Sequence, residues 1–197
     1  DMISGAQEAL WANNKVMLVV NAGPKTELTQ LSLQAMLQRR VEGIIYAAEY
    51  HQAVEILPEM TDVPLVLANC FATDGSVPSV VPDEEQAGHL ATQTLLARGH
   101  RRIAFINLGG DPPPIPAATG RLLGYQRALA EYDVPFDPDL VRVTNQTPQD
   151  NYQLTLDLMQ LSDPPTAIFC GNDRTAMGCY GALSSLGLRI PDDVAVM

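Results

Sequence analysis

The 197-residue sequence predicts an α/β fold built on parallel sheets. Short, nearly continuous apolar runs alternate with longer segments whose apolar residues recur at helical spacing, which is typical of a parallel sheet covered on both faces. One junction is especially abrupt, because the apolar run Ala167–Cys170 enters a helical segment through the turn Gly171-Asn172-Asp173. Such a unit is half of a parallel βαβ, so its turn lies at the carboxyl end of a sheet, where α/β proteins bind ligands.

The first part of the chain is expected to alternate helices with strands. Helices are predicted over Ile3–Asn13, from a Thr26 cap to Arg39, and over His51–Glu59, and strands over Val16–Val20, Ile44–Ala47, Leu65–Asn69 and Ser79–Val81. The strand predictions depend on runs rich in Val, Ile and Leu, which favour a buried pleated surface.

The second part begins with a helix-start signature. In Asp83-Glu84-Glu85-Gln86 the Asp83 side chain can cap a helix while Gln86 reaches back, and Gly99 then ends that helix. Further strands are predicted over Ile103–Asn107, Val141–Thr144, Ala167–Cys170 and Val194–Met197. Four prolines and two glycines between Gly109 and Pro116 predict an irregular loop.

The helices of this second part carry apolar residues that we expect to be buried. The helix after Asp83 has Ala87, Leu90, Ala91, Thr94 and Leu95; a helix capped by Thr119 has Leu123, Tyr125, Ala128 and Leu129; a third has Tyr152, Leu156 and Met159; and the last has Met177, Tyr180, Leu183 and Leu186.

Composition excludes several classes of function. The net charge of −11 and the lack of a Lys/Arg cluster argue against this chain gripping nucleic acid itself. No apolar run approaches the roughly 18 residues of a membrane span, and no signal peptide is evident, so we expect no membrane contact. The three cysteines share no metal-binding spacing and are expected to be free thiols in a reducing compartment.

Motifs of catalysis are also missing from the sequence. It contains no G-x-S-x-G, no G-x-x-x-x-G-K-[ST], no G-x-G-x-x-G and no H-E-x-x-H, and its three histidines have no spacing for a shared metal. We therefore expect neither an enzyme nor a cofactor or metal site.

Arg121 is the strongest candidate for contact with a ligand. If Thr119 caps the helix, Arg121 falls in its first turn, where the helix dipole disfavours a cation by about 0.3–1 kcal/mol. An anionic or oxygen-rich partner would offset that cost. The alternatives are an ion pair with Asp111 or a side chain directed to water.

Polar turns at predicted strand ends supply the other candidates. Asn172 and Asp173 can each cap the following helix, and since one cap is enough, the other is left to face a ligand, although capping alone explains most such pairs. Asn69 and Phe71 end another parallel strand on the ligand side of a sheet, where a tight turn with a buried Phe is an equal alternative.

Several short motifs, taken together with their order and spacing, resemble those of a known protein family, and they extend over nearly the whole chain. They are Arg40-Val41-Glu42-Gly43-Ile44-Ile45, Asp83 with Ala87-Gly88, Arg98-Gly99-His100-Arg101-Arg102-Ile103, Arg121-Leu122-Leu123-Gly124-Tyr125, Pro165-Thr166-Ala167-Ile168-Phe169 with Asn172-Asp173, and Ile190-Pro191-Asp192-Asp193-Val194. In these the chain resembles the effector-binding core of LacI/GalR-family transcription regulators.

The resemblance implies a type I periplasmic-binding-protein-like fold with two hinged Rossmann-like lobes, here residues 1–81 and 82–197. It implies that Arg121 and Asn172 hold ligand oxygens and that Asn69 stands where many relatives have Asp. The implied effector is a small molecule, usually a sugar and less often nucleoside-like. Both lobes would be incomplete in this chain, and a first-lobe sheet that lacks its central strand would leave unpaired backbone groups, at about 1–3 kcal/mol for each buried one.

A cytoplasmic bacterial regulator is the implied whole protein. It would act as a homodimer whose lobes close on the effector, and it would bind operator DNA through an N-terminal helix-turn-helix domain that precedes Asp1. An exported solute-binding protein that feeds a transporter is the alternative within this fold, and a doubly wound α/β enzyme is a weaker third.

Overall fold

The computed structural model describes residues 2–23, 26–109 and 115–197. The chain divides into two compact units, Asp1–Pro82 and Asp83–Met197. All strand pairs in both units are parallel, so the predicted α/β class with parallel sheets is confirmed.

The first unit has one three-stranded sheet. Its elements are α1 (Met2–Ala12), α2 (Thr26–Gln38), β1 (Ile44–Ala53), a 3-10 helix (Pro58–Asp62), β2 (Leu65–Phe71) and β3 (Ser79–Val80), and the strand order is β1-β2-β3. Its core contains Leu33, Met60, Leu65, Leu67, Cys70, Ala72 and Val77. None of the residues of α1 is buried, so this helix adds nothing to that core.

Two predictions for the first unit are wrong. Val16–Val20 is not a strand: its backbone is irregular, Val16 is 86% exposed, and no strand among residues 2–23, 26–109 and 115–197 pairs with it. A strand is stabilised by its ladder and by burial of its side chains, and this segment has neither. The predicted helix His51–Glu59 is also wrong: its first residues belong to β1, which runs on to Ala53 and pairs with β2 after an irregularity between Ala47 and Gln52, and a 3-10 helix begins only at Pro58.

The second unit is a doubly wound sheet. Its elements are α3 (Glu84–Ala97), β4 (Ile103–Leu108), α4 (Pro116–Glu131), a 3-10 helix (Pro138–Leu140), β5 (Val141–Thr144), α5 (Pro148–Met159), β6 (Ala167–Cys170), α6 (Asp173–Ser185) and β7 (Ala195–Val196), and the strand order is β5-β4-β6-β7. Every residue of β4 and β6 is buried, as expected for central strands of a parallel sheet.

Alternate residues of β4 and β6 feed two cores on opposite faces of this sheet. Ile103, Phe105 and Phe169 pack with α3 and α4, and the rings of Phe105 and Phe169 stack with centroids 4.4 Å apart. Ala104, Ile106 and Ile168 pack on the other face with α5 and α6, through Leu158, Cys179 and Leu183. The sheet is therefore covered by helices on both sides.

Glycines allow α3 and α4 to lie in very close contact. A Cβ atom on Gly88 would come within 2.3 Å of the Arg121 carbonyl oxygen, and one on Gly124 within 2.0 Å of the Glu85 carbonyl oxygen. Because these neighbours are backbone atoms, no side chain can be accommodated at either position without a backbone shift. This packing brings Glu84 of α3 beside Arg121 of α4.

The predicted helix faces are confirmed in part: Tyr125, Ala128 and Leu129 of α4 are buried as expected, whereas several other apolar positions are not. Leu90 and Leu123 are half exposed, and in α6 only Leu183 of the four stripe residues is buried, while Met177 is 68% exposed. The buried face of α6 contains small residues, namely Thr175, Gly178, Cys179 and Ala182. Small side chains let the helix approach its neighbours closely, so they take the place that the larger apolar residues were expected to fill.

Helix starts bear out some predictions and correct others. The Asp83 side chain accepts a hydrogen bond from the Gln86 backbone N–H, which confirms its cap, but the Gln86 side chain accepts from Arg127 instead of reaching back. Helix α4 begins at Pro116 after Ile115 and has no side-chain cap, so the Thr119 cap is wrong. Proline suits the first helical position, because its missing N–H would have no partner there.

Candidate ligand-binding site

The strand order of the second unit contains a topological switch point. The chain goes from β4 to β5 on one side of the sheet and from β6 to β7 on the other, so β4 and β6 are the neighbours at which the winding reverses. Ligands of open α/β sheets bind in the crevice outside the carboxyl ends of such a pair. Those ends here are Leu108 and Cys170, followed by Gly109 and by Gly171.

Arg121 reaches this end of the sheet from α4. Its Nη1 donates to the Gly171 carbonyl oxygen, which directly precedes Asn172. Its Nε and Nη2 both contact the Oε2 atom of Glu84, at 2.9 and 2.8 Å. The Glu84 side chain is only 6% exposed, so this is a partly buried ion pair. The structure therefore brings Arg121 next to the Asn172 turn.

The reasoning that singled out Arg121 from the helix dipole needs correction. Because α4 begins at Pro116, Arg121 lies in its second turn, beyond the reach of the dipole effect. The proposed ion-pair alternative, Asp111, lies outside the described residues. Glu84 is the partner instead, and the sequence analysis missed it, since an acidic residue at a helix start is already accounted for by the dipole. The ion pair between Glu84 and Arg121 forms because α3 and α4 pack closely at Gly88 and Gly124, which the sequence does not indicate.

Asn172 is the cap of α6. Its Oδ1 accepts from the Thr175 backbone N–H at 2.9 Å and from the Thr175 hydroxyl at 3.1 Å, so the cap fixes the orientation of the amide. The Asn172 side chain is partly exposed, and its NH₂ group remains available as a donor. Asp173 lies in the first turn and is exposed. Capping thus falls to Asn172 and leaves the Asp173 carboxylate at the surface.

The charge of this region is nearly balanced. Glu84 compensates the Arg121 guanidinium, and three of the five N–H groups of Arg121 donate to Glu84 and Gly171 among the described residues. Among residues 2–23, 26–109 and 115–197, the other two N–H groups of Arg121 and the NH₂ group of Asn172 have no acceptor. Such a donor set without surplus positive charge suits hydroxyl groups better than a free anion.

Asn69 and Phe71 belong to β2 of the first unit. The Asn69 NH₂ group donates to the carbonyl oxygens of Ala48 and Glu49, both at 3.1 Å, and thereby bridges the irregular part of β1. Asn69 also has a positive φ of 57°, which asparagine tolerates better than most residues. The ring of Phe71 packs edge-on against His51 at 5.6 Å. Asn69 thus has a structural role in joining β2 to the irregular part of β1.

Two surface clefts of the second unit are not lined by the carboxyl-terminal residues of β4 and β6. A cleft of ≈ 630 Å³ lies between α5 and α6 and is lined by Tyr152, Arg174 and Met177, and one of ≈ 450 Å³ lies near Arg101 and Asp133. Neither is lined by Arg121 or Asn172.

Residues 2–23, 26–109 and 115–197 contain no group of three or more His, Cys, Asp or Glu side chains that could hold a metal ion. None of the helices in the described part of the chain combines the length and apolar character that a bilayer crossing needs.

The fold and the switch-point site define a doubly wound α/β binding core. The profile of the family described as periplasmic binding proteins and sugar binding domain of LacI family matches residues 1–197. The chain therefore belongs to this family, as its motifs suggested.

Individual relatives agree with that membership. The HTH-type transcriptional repressor PurR of Pasteurella multocida is 28% identical over 200 residues, which cover all of this chain and 59% of that protein. A Rhizobium etli protein assigned to the LacI family of transcriptional regulators is 30% identical with a TM-score of 0.82, over 99% of this chain and 70% of the other. The regulator CelR, solved with cellobiose, is 27% identical with a TM-score of 0.73, over 98% of this chain and 59% of the other. The chain thus spans about three fifths of the length of the PurR relative.

Proposed function

We propose that the chain is the effector-binding part of a DNA-binding transcriptional regulator and that its effector is a small molecule, either a sugar or a nucleoside-like compound. Arg121 and Asn172 bind the effector, and Asp173 contributes from the same turn. Operator DNA is bound by a separate helix-turn-helix domain of the whole protein, in line with the net charge of −11 of this chain. Asn69 and Phe71 are proposed as further ligand contacts in the first unit.

One observation carries this proposal. At the switch point between β4 and β6, the Arg121 guanidinium donates a hydrogen bond to the carbonyl oxygen of Gly171, the residue that directly precedes Asn172. Two side chains from different helices thus present polar groups at the position where α/β sheets bind ligands. Compensation of Arg121 by Glu84 favours a neutral, hydroxyl-rich effector over an anion.

The relatives favour a regulator over a transporter component or an enzyme. PurR and CelR are named as transcriptional regulators, and CelR was solved with a disaccharide. We propose that this chain likewise performs no catalysis and acts in the bacterial cytoplasm. Effector binding would shift an equilibrium between two conformations, with a coupling of typically 1–3 kcal/mol.

A thermal-unfolding screen of the full-length protein tests the proposal. The probes are monosaccharides, cellobiose, purine bases and nucleosides. A true effector at a hundred times its dissociation constant should stabilise the protein by about 2.7 kcal/mol. If no sugar or nucleoside raises the unfolding temperature while a phosphorylated or carboxylated probe does, the neutral-effector part of the proposal is wrong.

Matched arginine variants then locate the site. Arg121→Ala alone would remove the ion-pair partner of the buried Glu84 carboxylate, which typically lowers the free energy of unfolding by about 3–5 kcal/mol. The variant is therefore made together with Glu84→Gln. Arg127 is the control, because it lies on the same helix and pairs with Glu85, the neighbour of Glu84. Effector stabilisation should be lost in Glu84→Gln/Arg121→Ala and retained in Arg127→Ala. Equal affinity in both variants would remove Arg121 from the site.

A homodimer is part of the proposal. The outward face of α6 exposes Met177 by 68% and Tyr180 by 43%, beside the cleft that Tyr152 lines. Large apolar side chains grouped on one surface are typical of an interface. Sedimentation of the full-length protein should give a dimer that Met177→Glu weakens, and a monomer at micromolar concentration would contradict it.

A further inference from the structure

Two cysteines of the second unit lie in contact without forming a disulfide bond. Cys170 ends β6 and Cys179 lies in α6, and both are free and buried. Their Sγ atoms are 3.4 Å apart, and either thiol can donate to the other. Cys70, the remaining cysteine, is buried in the first unit. The pair is therefore the one place in the described chain where two thiols meet.

We propose that Cys170 and Cys179 form a dithiol site that hydroperoxides oxidise to a reversible disulfide. The two sulfur atoms are already in contact, so they must approach each other by about 1.3 Å to reach the length of a disulfide bond. The cross-link would close a loop of residues 170–179, which contains Asn172 and Thr175. It would thereby fix the turn that caps α6 to the end of β6.

The surroundings of the pair assign different roles to the two sulfur atoms. The Thr155 hydroxyl lies 3.1 Å from the Cys179 sulfur and 2.9 Å from the Asn151 carbonyl oxygen, so its one hydrogen can be donated to either. When the Cys170 thiol is the donor of the two, its hydrogen bond to the Cys179 sulfur lowers the pKa of Cys179 and raises the pKa of Cys170. Hydrogen bonds from Thr155 and Cys170 to its sulfur stabilise the Cys179 thiolate, so the geometry assigns Cys179 as the nucleophile and Cys170 as the resolving thiol.

The reaction balances in two steps. The Cys179 thiol loses its proton and the thiolate attacks the terminal oxygen of the hydroperoxide, whose O–O bond breaks; the proton goes to the leaving oxygen, so an alcohol or water leaves as Cys179 becomes a sulfenic acid. The Cys170 sulfur then attacks the Cys179 sulfur, the S–O bond breaks, and water leaves with the Cys170 proton. The two thiols lose two electrons in total, the peroxide gains them, and a dithiol reductant reverses the change.

Disulfide mapping of the folded full-length protein tests the proposal. The protein is treated with hydrogen peroxide under native conditions, remaining thiols are alkylated, and digested peptides are examined by mass spectrometry before and after reduction. We expect a peptide pair joined through Cys170 and Cys179 that has lost two hydrogen atoms, while Cys70 remains alkylated.

Matched variants separate the dithiol from other oxidation. Cys70→Ser should leave the linkage unchanged, Cys179→Ser or Cys179→Ala should abolish it, and Thr155→Val should slow its formation several-fold. Circular dichroism confirms that each variant is folded. The proposal is overturned if the native wild-type protein yields no such linkage, or if the linkage appears only after urea is added. None of these readouts requires an effector, so the outcome is independent of the proposed function.

Discussion

The two units of the chain use similar apolar runs with different results. In the second unit Ile103–Leu108 is a central strand that is buried along its whole length, paired on both sides and covered by helices on both faces. In the first unit Val16–Val20 is as apolar, yet its backbone is irregular and Leu18 is 49% exposed. The difference lies outside the segments themselves, in whether a ladder partner and covering layers are present.

This comparison shows why a strand cannot be read from its own residues alone. Local preference for a pleated surface is worth about 1 kcal/mol at most, whereas ladder bonds and burial on two faces supply the larger part. In the second unit every apolar run that was predicted as a strand has a ladder partner, and the central strands β4 and β6 are also buried on both faces. In the described part of the first unit, ladder partners exist for β1, β2 and β3 only, and of these β2 alone contains buried residues.

The largest difference between the units is expected for leucine truncation. Leu183 is fully buried between α6 and the sheet, so Leu183→Ala should lower the free energy of unfolding by about 2–5 kcal/mol. Leu18→Ala, in the irregular segment, should change it by less than about 0.5 kcal/mol. Urea denaturation of the full-length protein measures both. A cost for Leu18→Ala close to that of Leu183→Ala would break the comparison, because it would mean that Leu18 is covered in the whole protein.

Glycine replacement should give opposite signs in the two units. Gly124→Ala forces a Cβ against the Glu85 carbonyl oxygen and should destabilise the second unit by about 1–3 kcal/mol. Gly5→Ala in α1 meets no atom within 4 Å and should stabilise that helix by up to about 1 kcal/mol. Thermal unfolding followed by circular dichroism distinguishes them. Two changes of the same sign would refute the close α3–α4 packing or the exposed position of α1.

Acid sensitivity should be the smallest effect. The Asp193 carboxylate accepts hydrogen bonds from the Arg189 side chain and backbone, which lowers the pKa of Asp193 to about 2. Because the folded-state pKa lies below the unfolded value of about 3.9, this stabilisation is present above about pH 4 and is lost as the pH falls toward 2.

Asp193→Asn should therefore flatten the pH dependence of unfolding between about pH 4 and 2, with little change at neutral pH, since the pair is exposed. Urea denaturation at a series of pH values provides the measurement. In the first unit Asp74→Asn is the counterpart, because the Ser76 backbone N–H donates to Asp74 and lowers its pKa. An unchanged pH profile for Asp193→Asn would show that the Arg189 contact is absent in solution.

Much of the second unit could be predicted from the sequence because its signals are local. The strands Val141–Thr144 and Ala167–Cys170 were predicted to the residue, and the Asp83 cap was identified from its own side chain and spacing. The polar turn after β6 was likewise placed at a carboxyl strand end, and family membership followed from the order of short motifs. Each of these features depends on residues close together in the chain.

The candidate site could be predicted only in part. Arg121 and Asn172 were identified as ligand contacts, and that role stays a prediction, whereas Glu84 was missed and the dipole argument for Arg121 was wrong. The pairing of Glu84 with Arg121 depends on Gly88 and Gly124, which let two helices approach each other. No spacing in the sequence reports such an approach.

The sequence by itself determined the α/β class, the positions of most strands and the turn that carries Asn172, because apolar periodicity and capping act over a few residues. The tertiary structure decided which face of α6 is buried, which carboxylate pairs with Arg121, that Cys170 meets Cys179, and that Val16–Val20 is not a strand. The physical reason is the same in each case: these outcomes depend on close packing and ladder partners contributed by residues distant in the chain.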